Sequence, residues 1–236
     1  MGLCESSKNE NIKCNIIEEN PRILHSFKSL AITAKSVCKI LFNQKQLGCG
    51  FLIQLFKRSQ QFFCLMTTDN IVNKKMIKDK VTIDVVNDII ESISLKIELN
   101  SEKRSIKNFT ELNIDITVIE ILPSDKIPQD YFLLPLKDYI DNYDKLINKD
   151  IMILHYPNGI ISSSFGKINR LVEKNNYEFI HDAITDKGSS GSPIFLEGNI
   201  RVIGINKSEN KNSEENYGYS IWPIFNFFKN YSENNI

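Results

Sequence analysis

Along most of this chain, short runs crowded with apolar and β-branched residues alternate with turns rich in Gly, Asn and Asp. That pattern predicts strands. In the first half the runs are SVCKILF (36–42), GCGFLIQLF (48–56), FFCLMTT (62–68), VTIDVV (81–86), SISLKIEL (92–99) and IDITVIEIL (114–122). Six such strands suffice for a small antiparallel barrel. From 123 to 150 the pattern lapses, and Pro123, Pro128 and Pro135 punctuate what reads as an ordered connector. Six runs follow it: DIMILHY (150–156), SFGKINRLV (164–172), YEFIHDAI (177–184), SPIFL (192–196), RVIGIN (201–206) and YGYSI (217–221). A short helix is expected from about Ile23 to Lys35, and a C-terminal one starting near Pro223. The expectation is an all-β protein of two antiparallel six-stranded β-barrels. A flexible leader would occupy residues 1–22, the first lobe 23–135 and the second 136–236.

Composition narrows the picture without reshaping it. The chain has 236 residues, 42% hydrophobic and 25% charged, which is ordinary for a globular protein. Its formal net charge is zero, so bulk charge gives no reason to expect a nucleic-acid partner. No apolar run is long enough to span a membrane. The cysteines, Cys4, Cys14, Cys38, Cys49 and Cys64, are odd in number and confined to the first third. Reduced thiols and a cytoplasmic setting follow as the expectation. With only three histidines besides, no ligand-spaced metal cluster is evident, and no cofactor is expected. The start, Met-Gly-Leu-Cys-Glu-Ser, fits myristoylation of Gly2, with Cys4 placed for palmitoylation. Two acyl chains would tether the protein stably to the cytosolic face of a membrane. Three Asn-x-Ser/Thr triplets, at Asn108, Asn206 and Asn230, are read as chance in a chain rich in Asn.

The chemistry concentrates in TDKGSSGSPIFL (185–196), where a serine sits in Gly-x-Ser-Gly-x-Pro ahead of an apolar strand. Two further blocks precede it: NIDITVIEIL (113–122), and GCGFLIQLFKRSQQFFCLMTTDNIV (48–72). Together they resemble the trypsin-like peptidase family of the chymotrypsin fold, in its short, non-secreted form. The similarity covers roughly residues 36 to 228 in the family's order of His, Asp, Ser. It implies Ser190 as nucleophile, with the N–H groups of Gly188 and Ser190 as the oxyanion hole. It implies Asp115 as the orienting carboxylate. The third block carries Gly48-x-Gly50-Phe51 and then LMT (65–67), with Ile71-Val72 beyond. Where the family has its histidine, this chain has Asn70.

An amide cannot accept a proton near neutral pH, so Asn70 cannot act as the base the serine needs. His25 precedes the first lobe. His155 reads as a structural or surface residue, and His181 sits too far down its strand to reach Ser190. By the same resemblance Ser189 replaces an aspartate that pairs with a newly cut N-terminus, which implies no zymogen cleavage. Ile184 would floor the primary specificity pocket. Gly204, Ile205 and Asn206 would offer a strand edge to an extended peptide. The expected function is an impaired protease homologue that binds a peptide or protein in the cleft between the barrels, at a membrane surface. Two readings stand beside it: an active serine endopeptidase with an atypical base, and a two-barrel domain with no peptide site.

Overall fold

The computed structural model describes residues 30–31, 33–89, 93–136, 143–173, 175–207 and 215–230. The first lobe holds β1 (Val37–Phe42), β2 (Lys45–Lys57), β3 (Gln60–Thr68), β4 (Thr82–Asn87), β5 (Ile93–Glu98), β6 (Ile106–Asn108) and β7 (Ile116–Glu120). They form one antiparallel sheet in the order β5-β4-β1-β2-β3-β7-β6. The second lobe holds β8 (Asp150–His155), β9 (Ser162–Val172), β10 (Asn175–His181), β11 (Pro193–Leu196), β12 (Val202–Asn206) and β13 (Asn216–Ser220). These close into a six-stranded barrel.

The expected strands of both lobes are present, and one expectation is corrected. The first lobe is a seven-stranded sheet whose outer strands, β5 and β6, are not paired with each other, rather than a six-stranded closed barrel. The added strand β6 is three residues long, Ile106-Lys107-Asn108, and too short to show a period of two. Of the expected N-terminal helix, Leu30, Ala31, Thr33 and Ala34 are helical; residues 1–29, including the leader, lie outside the described residues.

Burial explains why β2 lacks a clean alternation. Phe51, Ile53 and Leu55 face a core shared with the second lobe, while Leu52 faces the core enclosed by the first sheet. Both faces of the strand are therefore apolar. The hairpins flanking β2 turn through Asn43-Gln44 and Arg58-Ser59, all with positive φ, the signature of type I′ turns.

The chain crosses between lobes by pairing with both. Leu133 N–H donates to Leu52 O at 3.0 Å and Leu133 O accepts from Gln54 N–H at 2.8 Å. Three residues on, Leu136 N–H donates to Val202 O, and Val202 N–H donates to Leu134 O, each at 2.9 Å. The C-terminal helix, Trp222–Lys229, starts with Pro223 in its first turn, as expected. It buries Trp222, Ile224, Phe225 and Phe228. Phe228 stacks on Phe62 at 4.9 Å, and Phe227 meets Phe109 edge-on at 5.0 Å. This helix thus packs back on the first lobe.

Candidate functional site

The site is assembled where the end of β3, the start of β2 and the loop before β11 meet. Gly48 and Gly191 make that meeting possible. A Cβ on Gly48 would stand 2.0 Å from Ile71 Cδ1 and 2.9 Å from Ser190 O. Gly191 has φ 84°, and a Cβ there would lie 2.1 Å from Cys49 O. The two backbones touch: Cys49 N–H donates to Ser190 O at 2.7 Å. The Ser190 backbone therefore lies against the start of β2, where the Ile71 side chain, one residue past Asn70, also packs.

Asn70 is exposed in the turn after Thr68, and its Oδ1 accepts from Thr68 Oγ1. It makes no hydrogen bond to Ser190 or Asp115. Its neighbour Asp69 donates its N–H to Asp115 O at 3.1 Å, so Asp115 belongs to the same neighbourhood. The Asp69 carboxylate accepts from Asn108 Nδ2, and Asn108 also donates to Thr117 Oγ1 at 3.0 Å.

The Asp115 carboxylate points to the second lobe. Its Oδ2 accepts from Tyr219 OH at 3.2 Å and lies 3.6 Å from Lys207 Nζ. Lys207 donates to Tyr219 OH at 2.8 Å and to Glu178 Oε1 at 3.0 Å. Partial burial disfavours the ammonium, but the hydrogen bonds to Tyr219 and Glu178 outweigh it and hold Lys207 above its usual range. Lys207 is thus a cation at neutral pH, unable to take a proton. Burial pushes the Tyr219 hydroxyl up to about 12.

The Ser190 loop is held from several sides. Cys49 Sγ donates to Gly188 O at 3.0 Å, and Gln46 Nε2 reaches Tyr156 O at 3.0 Å and Gly188 O at 3.4 Å. Asn158 donates its N–H to Lys187 O at 2.9 Å and its Nδ2 to Asp186 Oδ2 at 2.7 Å. Ser189 is buried, and its Oγ lies 2.8 Å from His155 Nδ1 while accepting from Asp186 N–H at 3.1 Å. Ser189 Oγ thus bridges the His155 ring and the Asp186 backbone. The Ser190 hydroxyl has no protein partner among the described residues.

Neither described histidine reaches Ser190. His155 is committed to Ser189, and burial lowers it to about 4. His181 is fully buried, its Nε2 is 3.1 Å from Asn206 Oδ1, and burial likewise lowers it to about 4. Both are neutral at physiological pH and enclosed. His155 is therefore a buried anchor of the Ser190 loop. Nothing local in the chain signals this, because its partner lies 34 residues away. Gln46 and Asn158 carried no signal either. Cys49 did, standing between the two glycines of Gly48-x-Gly50.

Two expectations about the peptide groove need correction. Ile184 is 79% exposed, so it does not floor an enclosed pocket. Gly204, Ile205 and Asn206 are paired on both sides, with β11 and with β13. The N–H and C=O of Asn206 are taken by Ser192 and Gly191, so this stretch presents no open edge to a peptide. The chain beyond it, 208–214, lies outside the described residues, as do Gly2 and Cys4. Burial raises the thiols of Cys38, to about 12, and Cys49, to about 11, and raises Cys64 as well. Among the described residues, no group of three or more His, Cys, Asp or Glu could hold a metal ion.

No family model matches the chain, and no curated protein does. Solved structures do. Deg5 is 15% identical, with a TM-score of 0.61 over 91% of this chain and 98% of that one. The serine endoprotease from Yersinia pestis is 13% identical, with a TM-score of 0.60 over 86% of this chain and 65% of that one. The HtrA-type protease AlgW with decapeptide is 12% identical, with a TM-score of 0.58 over 85% and 66%. The fold is that of trypsin-like serine proteases of the HtrA and Deg type.

Proposed function

We propose that this chain is a catalytically impaired protease homologue that binds a peptide or protein at the junction of its two lobes. One observation carries the reading: among the described residues, no histidine reaches Ser190, and the position expected to supply one holds an amide. Asn70 has an amide where a base is required and is bonded back to Thr68. His155 and His181 are buried and spoken for, and Lys207 is held in its charged form. In a triad hydrolase, loss of the histidine alone costs about 10⁶ in turnover.

The rival reading, an active serine endopeptidase, is favoured by the unpaired Ser190 hydroxyl and by the intact turn that presents it. Three proteins assayed on one peptide library, with apolar residues before the cut, separate the two. The unmodified chain should match Ser190→Ala, and Asn70→His should gain activity above both. Cleavage by the unmodified chain that Ser190→Ala abolishes would establish the endopeptidase instead.

The membrane location rests on Gly2, Cys4 and Ser6 and is part of the same proposal. Intact mass from a eukaryotic host should show a myristoyl group, with palmitate on Cys4. A plain or acetylated start would remove the membrane from the account.

A further inference from the structure

The loop 186–192 has nearly every backbone group spoken for. Its N–H donors at Ser189, Gly191 and Ser192 go to Asp186 O, Asn206 O and Ser189 O. Those of Asp186 and Lys187 go to Ser189 Oγ and Asp186 Oδ1. The carbonyls of Lys187, Gly188, Ser189 and Ser190 all accept, from Asn158, Cys49, Asn206 and again Cys49. Two N–H groups stand out, those of Gly188 and Ser190, which have no protein partner among the described residues. Gly188 has φ 97°, and Ser189 between them has negative φ. Such an alternation forms a backbone concavity that binds anions. Ser190 itself is only partly buried, so the position is reachable.

Partly exposed and unpaired within the protein, these two donors are open to an acceptor from outside. In a hydrolase that acceptor is the oxygen of a transition state, but on the proposed reading, with no base at Ser190 among the described residues, that charge does not develop. An acceptor already carrying its charge needs no chemistry. We infer that the Gly188 and Ser190 N–H groups, with the Ser190 hydroxyl, hold the terminal carboxylate of a peptide, so that the site reads free C-termini. A carboxylate suits two parallel donors, and backbone capture of C-terminal carboxylates is a recurring recognition mode. The inference rests on the proposed peptide-binding reading and narrows its ligand.

The test uses the full chain, immobilised, and octapeptides randomised at their last four positions, made once as free acids and once as C-terminal amides. Charge-assisted bonds to two donors should enrich the acids on the order of 10-fold over the amides. Ser190→Ala, which keeps both N–H groups but loses the hydroxyl, should weaken that preference without abolishing it. Ser190→Asp, which sets a carboxylate at the donors, should abolish it. Should Ser190→Asp fail to fold, amide NMR serves: acids, but not amides, should shift the Gly188 and Ser190 N–H signals. Equal retention of both pools would overturn the inference while leaving peptide binding in place. No retention of either would overturn it as well. Shortened amide peptides would mean turnover, which would remove the reading beneath it.

Discussion

Replacing Ser189 with alanine should weaken the whole protein, although Ser189 touches no ligand in this account. Its side chain is buried, 1% exposed, and its hydroxyl joins His155 Nδ1 to Asp186 N–H. The substitution removes both bonds. Asp186 is exposed, so water can replace the bond to its N–H. His155 is 3% exposed, and its Nδ1 would be stranded. A buried polar group left unpaired costs about 1–3 kcal/mol, and the lost bonds add about 1 kcal/mol. The expected loss is about 2–4 kcal/mol. At roughly 2–4 °C per kcal/mol for a chain of this size, Tm should fall by about 4–16 °C. Urea unfolding measures the free energy directly, with Ser124→Ala, in an exposed turn, as a control expected within about 0.5 kcal/mol of the parent. A Ser189→Ala protein as stable as that control would refute the claim that His155 anchors the Ser190 loop through Ser189.

Stability should fall in mild acid. His155 and His181 are lowered by burial to about 4 from a free value of 6.5, so the unfolded chain binds more protons between those limits. Their contribution is complete above pH 6.5 and is lost as pH falls toward 4, and urea midpoints at pH 7 and pH 4.5 should differ in that direction. Arg104 and Asp125 pair through two contacts, 2.9 and 3.2 Å, with both side chains under 10% exposed. Arg104→Ala should therefore cost about 3–5 kcal/mol by chemical denaturation, since it strands a buried carboxylate. Ser59, at φ 64° in the β2–β3 turn, should gain about 1 kcal/mol on replacement by glycine, measured the same way.

Much of the fold was legible because both lobes repeat one device: an apolar, β-branched run closed by a turn. Hence β1 to β5 and β7, all of the second barrel and the terminal helix lay close to where the pattern put them. β6 escaped because three residues show no period, and it owes its place to pairing with β7. In the site, glycines were the legible part, since Gly48 and Gly191 are needed wherever two backbones touch. Partners distant in the chain were not. Nothing local shows that Asp115 meets Tyr219 and Lys207, or that His155 meets Ser189. The expected open edge at Gly204–Asn206 failed for a similar reason: a strand's sequence reveals its apolar faces, not how many neighbours it has.

In the proposed function Ser190 is presented but not activated, and a serine-directed fluorophosphonate tests this without any knowledge of substrate. The reagent reports the nucleophilicity of the hydroxyl alone, and a serine without a base is a weak nucleophile. Incubated side by side, the Asn70→His variant should be labelled on Ser190 while the unmodified chain stays unlabelled, like Ser190→Ala. Fast, stoichiometric label on Ser190 of the unmodified chain would show that a base is at work there, and would contradict the account.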